Sequence, residues 1–186
     1  PDALCLQETK VQDADFPVAP FLQAGWQTTF RGEKSYNGVA LISKIKPTEV
    51  NFGFDDGQES DATRLLSARL GDLHIVNAYV PQGREIDHPM YQYKLNWFRR
   101  LRDWFDHHFT PQSSLVWVGD LNVAPEAQDI HNAEKQTLHV CYHVDVRETF
   151  ATVMDWGFTD VFRKHQPGPG QFSFFDYRTP NAAQRK

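Results

Sequence analysis

Short apolar runs bounded by turn residues most restrict what this chain can fold into. Residues 3–6, 39–42 and 115–118 are such runs, and their length is typical of buried strands. Residues 65–70 and 73–80 are joined by a Gly-Asp dipeptide, which predicts a hairpin. Because these strands are interspersed with helical segments, the pattern predicts an α/β fold.

Residues 89–109 form the strongest helical pattern. Apolar side chains recur there at steps of three and four, which places them on one face of a helix: Tyr91, Leu95, Phe98, Leu101 and Phe105. A second helix is predicted over residues 146–156, where Asp145 is suited to cap the start and Gly157 to end it.

Composition limits the classes of protein to consider. The 186 residues, 40% of them hydrophobic, suit one globular domain, and no window is apolar enough for a membrane span. The two cysteines do not form a disulfide framework, so we expect a reducing cytoplasm. The net charge of −5 argues only mildly against nucleic-acid binding, because acidic residues that hold a cation also count as negative.

Polar residues follow three of the predicted strands. Because side chains alternate along a strand, Glu8 is expected on the face of Leu4 and Leu6. The same rule puts Asn77 and Tyr79 on the face of Ile75. It also predicts a shared face, if the third segment stays extended, for Val116, Val118, Asp120 and Asn122.

These strand ends predict an oxygen-rich site. Its expected members are Glu8, Asn77, Tyr79, Asp120 and Asn122. Carboxylate and amide oxygens select Mg²⁺ or Mn²⁺ over zinc, and such ions serve phosphate-ester cleavage. The alternative for any single residue is that it merely ends its strand.

Five sequence blocks, in order, carry a family resemblance. They resemble the exonuclease III and AP-endonuclease family of the deoxyribonuclease I-like endonuclease/exonuclease/phosphatase superfamily. The blocks are LQETK (6–10), YNGVA (36–40), NAYVPQG (77–83), GDLNV (119–123) and FSFFDYR (172–178). LQE and GDxN alone recur widely in the superfamily, so the specificity lies in the ordered set.

The resemblance implies both fold and function. The fold is a four-layer α/β sandwich with two packed mixed β-sheets flanked by helices, in a single domain. The activity is hydrolysis of DNA phosphodiesters, as a 3′-to-5′ exodeoxyribonuclease and as an endonuclease that incises 5′ of abasic sites. The implied cofactor is Mg²⁺ or Mn²⁺. The implied partner is double-stranded DNA with abasic sites or 3′ ends, bound by a cytoplasmic, bacterial-type monomer without a membrane segment.

The resemblance also implies roles for individual residues. Glu8 is expected to be a metal ligand. Asp120 is expected to orient or deprotonate the attacking water, or to act on the metal side. Asn122 is expected to position the water, to stabilise charge on the phosphate and to lie at the metal. Tyr79 is expected to hydrogen-bond the phosphate or the transition state.

Four further residues are expected to contact DNA. They are Asn77, Gln82, Gly83 and Phe174, with Gln82 and Gly83 near the DNA backbone. Phe174 falls where the family has an aromatic wall for the base-less sugar, and neighbouring Phe175 is expected to be core.

Some family blocks have no counterpart in the sequence. The family's first strand, with an Asn near the metal, is expected before Pro1, and an Arg-Ile-Asp-type block and an Asp-His pair are expected after the last residue. We therefore expect a domain truncated at both ends. Two alternatives remain open: a superfamily phosphodiesterase or phosphatase acting on a non-DNA substrate, and a non-catalytic DNA-binding fragment.

Two further signals have unremarkable interpretations. Alternating residues in the segment 139–145 form a zinc-like set of His139, Cys141, His143 and Asp145, but the spacing favours a surface edge strand or loop. Lys94, in the long helix, is interpreted as a solvated lysine.

Overall fold

Two β-sheets form the centre of the structure, a computed structural model that describes residues 1–173. One sheet has the order β1 (Ala3–Gln7), β3 (Tyr36–Ser43), β2 (Gln27–Glu33). The other has the order β4 (Thr48–Phe52), β5 (Leu65–Leu70), β6 (Leu73–Tyr79), β7 (Leu115–Asp120).

The two sheets differ in strand direction. Both pairings in the three-stranded sheet are antiparallel. The four-stranded sheet is mixed, because β6 and β7 run parallel whereas its other pairings are antiparallel. The expectation that both sheets are mixed therefore holds for the four-stranded sheet, and within residues 1–173 the other sheet is antiparallel throughout.

The predicted hairpin is confirmed. β5 and β6 pair from Leu70–Leu73 to Leu65–Ala78, and Gly71 supplies the positive φ of 61° in the turn. β6 then reaches its parallel neighbour β7 through a helical crossover, as parallel strands require. The crossover brings the carboxyl ends of β6 and β7 to the same sheet edge.

The long predicted helix is also confirmed, as α2 (Pro89–His108). The second predicted helix is α3 (Val144–Met154), which begins two residues early because the side chain of His143, not Asp145, caps it. Two shorter α-helices lie in the described residues, α1 (Val18–Gln23) and α4 (Val161–His165). No helix among residues 1–173 is both long enough and apolar enough to cross a bilayer.

The sheets and helices pack against one another through three apolar clusters of described residues. One lies between the sheets and includes Val39, Leu66 and Ile75. A larger one packs the outer face of the four-stranded sheet against α2 and α3, and a third packs the three-stranded sheet against α1 and its flanking loops. The α/β architecture with two packed sheets and helices on the outer faces agrees with the prediction.

The predicted strand faces are correct within β6 and β7 but not at Asn122, which lies beyond β7 with a positive φ. Ile75 and Tyr79 lie in the cluster between the sheets, and so do Val116 and Val118. The prediction for β1 is wrong at its end. Leu6 packs on the outer face, but Glu8 follows the strand with a φ of 52°, so the alternation of faces does not extend to it.

Candidate active site

The carboxyl ends of three strands meet at one edge of the two sheets. Tyr79, the last residue of β6, lies in register with Asp120, the last residue of β7. Glu8 follows β1 directly, and the phenol of Tyr79 donates a hydrogen bond to its carboxylate at 2.9 Å. The structure thus brings Glu8, Tyr79 and Asp120 together from three separate sequence blocks.

The turn after β1 sets the position of Glu8. The amides of Thr9 and Lys10 donate to the carbonyls of Gly38 and Asn37, at 3.3 and 2.9 Å. A Cβ on Gly38 would lie 2.0 Å from the Thr9 hydroxyl, so this close approach requires glycine. The YNGVA block therefore supports the LQETK turn.

Asn122 reaches the site through a second turn. Its φ is 48°, so the segment does not stay extended beyond Asp120. Its backbone amide donates to the Asp120 carboxylate at 3.1 Å, and its side-chain amide donates to the Val80 carbonyl at 3.0 Å. These two bonds hold the Asn122 side chain beside the end of β6.

The electrostatics of the site define what each group can do. Burial raises the pKa of Asp120, and the negative charge of Glu8 raises it further. Burial and the hydrogen bond to Glu8 raise the pKa of Tyr79 to about 12, so its phenol remains a donor at neutral pH. The carboxylates of Glu8 and Asp120 repel each other, and a cation between them would relieve that repulsion.

The donor set fits a hard divalent cation. Glu8 and Asp120 offer carboxylates and Asn122 offers an amide, which suits Mg²⁺ or Mn²⁺. No group of three or more His, Cys, Asp or Glu side chains gathers as a metal site within residues 1–173. Two carboxylates match the usual coordination of Mg²⁺, which takes its remaining ligands from substrate phosphate and water.

The zinc-like set does not assemble. The segment that holds His139, Cys141 and His143 forms turns rather than a strand, and the side chain of His143 caps α3. This agrees with the preferred interpretation of the segment as a loop.

Asn77 is placed differently from the prediction. Its side chain is fully buried between the sheets, where it accepts from Gln7 at 2.6 Å. It also donates to the carbonyls of Leu6 and Ala40, each at 3.1 Å. The expectation that Asn77 contacts DNA is corrected accordingly, because this amide joins the two sheets behind the site.

The other predicted DNA contacts differ in exposure. Gln82 is exposed, and its side-chain oxygen accepts from the Arg84 amide at 2.7 Å. Gly83 is buried against Tyr91 and Lys94, so only Gln82 offers a side chain to a ligand. Phe174 lies outside the described residues.

Lys94 is not the solvated lysine that the sequence analysis expected. It is fully buried, and burial lowers its pKa to about 8. Its ammonium donates to the carbonyls of Gln82, Asn122 and Val140, at 3.1, 2.6 and 2.8 Å. The signal was in the sequence, because Lys94 lies three residues after Tyr91 and four before Phe98, on the apolar stripe.

The sequence also gave no indication that Arg64 lies at the candidate site. Its guanidinium lies 4.7 Å from the centre of the Tyr79 ring and donates to the Tyr79 carbonyl at 3.2 Å. No sequence motif distinguishes this arginine, which directly precedes β5, from a surface residue. It becomes visible only once the hairpin pairing places it beside Tyr79.

Comparison with known proteins identifies the family of this chain. Residues 1–185 match the endonuclease/exonuclease/phosphatase family. The chain belongs to this family. An AP endonuclease structure from Archaeoglobus fulgidus is 43% identical with a TM-score of 0.95, and it is matched over 100% of this chain and 72% of its own.

Two further relatives match nearly the whole chain. The 3′ phosphatase NExo from Neisseria, solved bound to a product DNA hairpin, is 34% identical with a TM-score of 0.86, over 100% of this chain and 72% of its own. Exodeoxyribonuclease III from Haemophilus influenzae is 29% identical over 96% of this chain and 72% of its own length. Other curated relatives are longer, and the chain spans 50% and 58% of two of them.

Proposed function

We propose that this site hydrolyses phosphate esters of double-stranded DNA, with 3′-to-5′ exonuclease action and incision at abasic sites. The observation that carries the proposal is the convergence of Glu8, Tyr79, Asp120 and Asn122 at the ends of three strands. The similarity to AP endonucleases, to an exodeoxyribonuclease and to a DNA-bound phosphatase supports DNA as the substrate.

Each residue contributes through a group that the geometry fixes. Asp120 orients the attacking water and accepts its proton as a general base. The protonated phenol of Tyr79 and the amide of Asn122 donate to the phosphate oxygens, where charge grows in the transition state. In the free site the single phenol proton is donated to Glu8, and we propose that it turns to the phosphate when substrate binds, which leaves the Glu8 carboxylate to the cation.

A divalent cation would be held by Glu8 and Asp120, with the amide oxygen of Asn122 nearby. When bound, it supplies charge neutralisation at the phosphate. We propose Mg²⁺ or Mn²⁺ for this position, because the donors are hard oxygens.

DNA would be held mainly through its phosphates. The exposed Gln82 lies in the loop after β6, the strand that ends at Tyr79. We expect the sugar-phosphate backbone of DNA bound at the site to run along this loop. Contacts of this kind hold DNA without reading its sequence. The proposed sugar-pocket role of Phe174 adds selectivity for abasic sites.

The test is a panel of labelled substrates offered to the chain with Mg²⁺: a duplex with one abasic analogue, an intact duplex with a recessed 3′ end, a duplex with a 3′ phosphate, and a soluble phosphoinositide. We expect cleavage of the first two. Release of phosphate from the third alone would assign a 3′ phosphatase like the Neisseria relative. Turnover of the phosphoinositide without DNA cleavage would contradict the proposal, and binding without cleavage would indicate a non-catalytic fragment.

A further inference from the structure

Lys94 is a buried cation that has neutral hydrogen-bond acceptors. Its side chain has no solvent exposure, and it donates to three backbone carbonyls, with the Cys141 sulfur 3.9 Å away. Burying a charge is unfavourable unless strong hydrogen bonds compensate it. An apolar residue would serve the packing of α2 at lower cost, so the ammonium calls for another explanation.

The three carbonyls come from three segments that surround the candidate site. Gln82 belongs to the loop after β6, Asn122 to the turn after β7, and Val140 to the loop before α3. The second and third segments are also joined directly, because the Ala124 amide donates to the Cys141 carbonyl at 2.7 Å. One ammonium group therefore fixes the relative positions of segments that are distant in the sequence.

Asn122 depends most on this contact. Its left-handed backbone, with a φ of 48°, turns its carbonyl inward to Lys94 at 2.6 Å, while its side-chain amide donates to the Val80 carbonyl just after β6. Asparagine tolerates this conformation better than most residues, but it needs contacts such as that with the ammonium to select it over the extended form. Without the ammonium, the Gln82, Asn122 and Val140 carbonyls would lose a buried donor and the turn would be free to relax.

We propose that Lys94 is a positioning residue, whose ammonium holds the turn of Asn122 and the loop of Gln82 in the arrangement that the reacting groups require. This inference rests on the proposed nuclease function. Lys94 acts through Asn122 and does not itself reach the substrate.

The first experiment compares Lys94→Met with Phe105→Leu. The methionine keeps the length of the lysine stem and removes the charge, whereas Phe105→Leu weakens packing of the same helix in the aromatic cluster behind the sheet. We expect Lys94→Met to lower kcat by about 10- to 100-fold, the effect of a small misplacement of a reacting group. The Kd for DNA, measured in EDTA, should rise by a smaller factor than kcat falls, because the Gln82 loop is the one loosened segment that is proposed to hold DNA, and Phe105→Leu should keep its kcat.

If Lys94→Met keeps the kcat of Phe105→Leu when both are compared below their melting temperatures, the lysine is only structural. If Lys94→Met does not fold, Lys94→Gln, whose two N–H donors cannot satisfy all three carbonyls, is judged by the same criterion.

Hydrogen exchange separates this inference from the proposed function. If the wild-type chain cleaves no substrate of the panel, the proposed function fails, and amide exchange then decides the role of Lys94. Faster exchange in Lys94→Met confined to residues 80–84, 120–124 and 139–143 supports the positioning role. Unchanged exchange, or uniformly faster exchange as in Phe105→Leu, overturns it.

Discussion

The buried amide of Asn77 gives a prediction whose size follows from the structure. Asn77→Ala removes three hydrogen bonds, one from Gln7 and two to the carbonyls of Leu6 and Ala40. At about 1 kcal/mol for each net bond, the free energy of unfolding should fall by about 3 kcal/mol. For a chain of this length that corresponds to a fall in Tm of about 6–12 °C.

Urea unfolding followed by tryptophan fluorescence measures this loss, and Asn77→Asp serves as the shape-matched comparison. At neutral pH the aspartate would turn a carboxylate toward two carbonyl oxygens. The stability of Asn77→Asp should therefore fall at least as far as that of Asn77→Ala. Folded Asn77→Ala should bind DNA as the wild type does. A loss below about 1 kcal/mol, or weakened DNA binding at unchanged stability, would refute the assignment of Asn77 to the sheet interface.

Three further predictions test the site and its supports. Tyr79→Phe, which removes the phenol donor to Glu8, should lower kcat by about 10²- to 10³-fold with little change in the urea midpoint; an unchanged kcat would remove Tyr79 from the mechanism. Gly119→Ala places a Cβ 1.9 Å from the Ala78 carbonyl oxygen at a φ of 131°, so the free energy of unfolding should fall by about 3 kcal/mol or more. The control Gly168→Ala adds a Cβ in open space and should unfold at the wild-type urea midpoint. Because burial lowers the pKa of Lys94 from 10.5 to about 8, the unfolded chain holds a proton that the folded chain has released between those pH values. The stability of the wild type relative to Lys94→Met should therefore rise across that window, by up to about 3 kcal/mol, and a flat difference would contradict the burial of the charge.

Local patterns predicted the regular elements well. The stripe from Tyr91 to Phe105 predicted α2, and the Gly-Asp turn predicted the β5–β6 hairpin. These signals work because each pair of neighbouring residues that defines them lies within one helical turn or one hairpin. β2 and β4 were not predicted, and β4 shows why: it is a largely exposed edge strand with few apolar side chains.

For the candidate site, the sequence named residues that the structure brings together but did not predict their geometry. The motifs identified Glu8, Tyr79, Asp120 and Asn122, but strand alternation could not place Glu8 and Asn122, because both have positive φ values. Asn77 was assigned to DNA and Lys94 to solvent, since hydrogen bonds to distant carbonyls leave no local trace in a sequence. Such long-range contacts, including that from Asn77 to Ala40, appear only when the sheets are packed.

The most direct test of the central claim is cleavage of a labelled duplex with one abasic analogue, measured with Mg²⁺ and with EDTA for the chain and for Asp120→Asn. The substitution keeps the shape of the side chain and removes the group that accepts the proton. Incision that requires Mg²⁺ and falls by several orders of magnitude in Asp120→Asn is the predicted result. Incision of equal rate in Asp120→Asn, or no incision by a folded chain of verified mass, would contradict the assignment of this strand-end site as a nuclease centre.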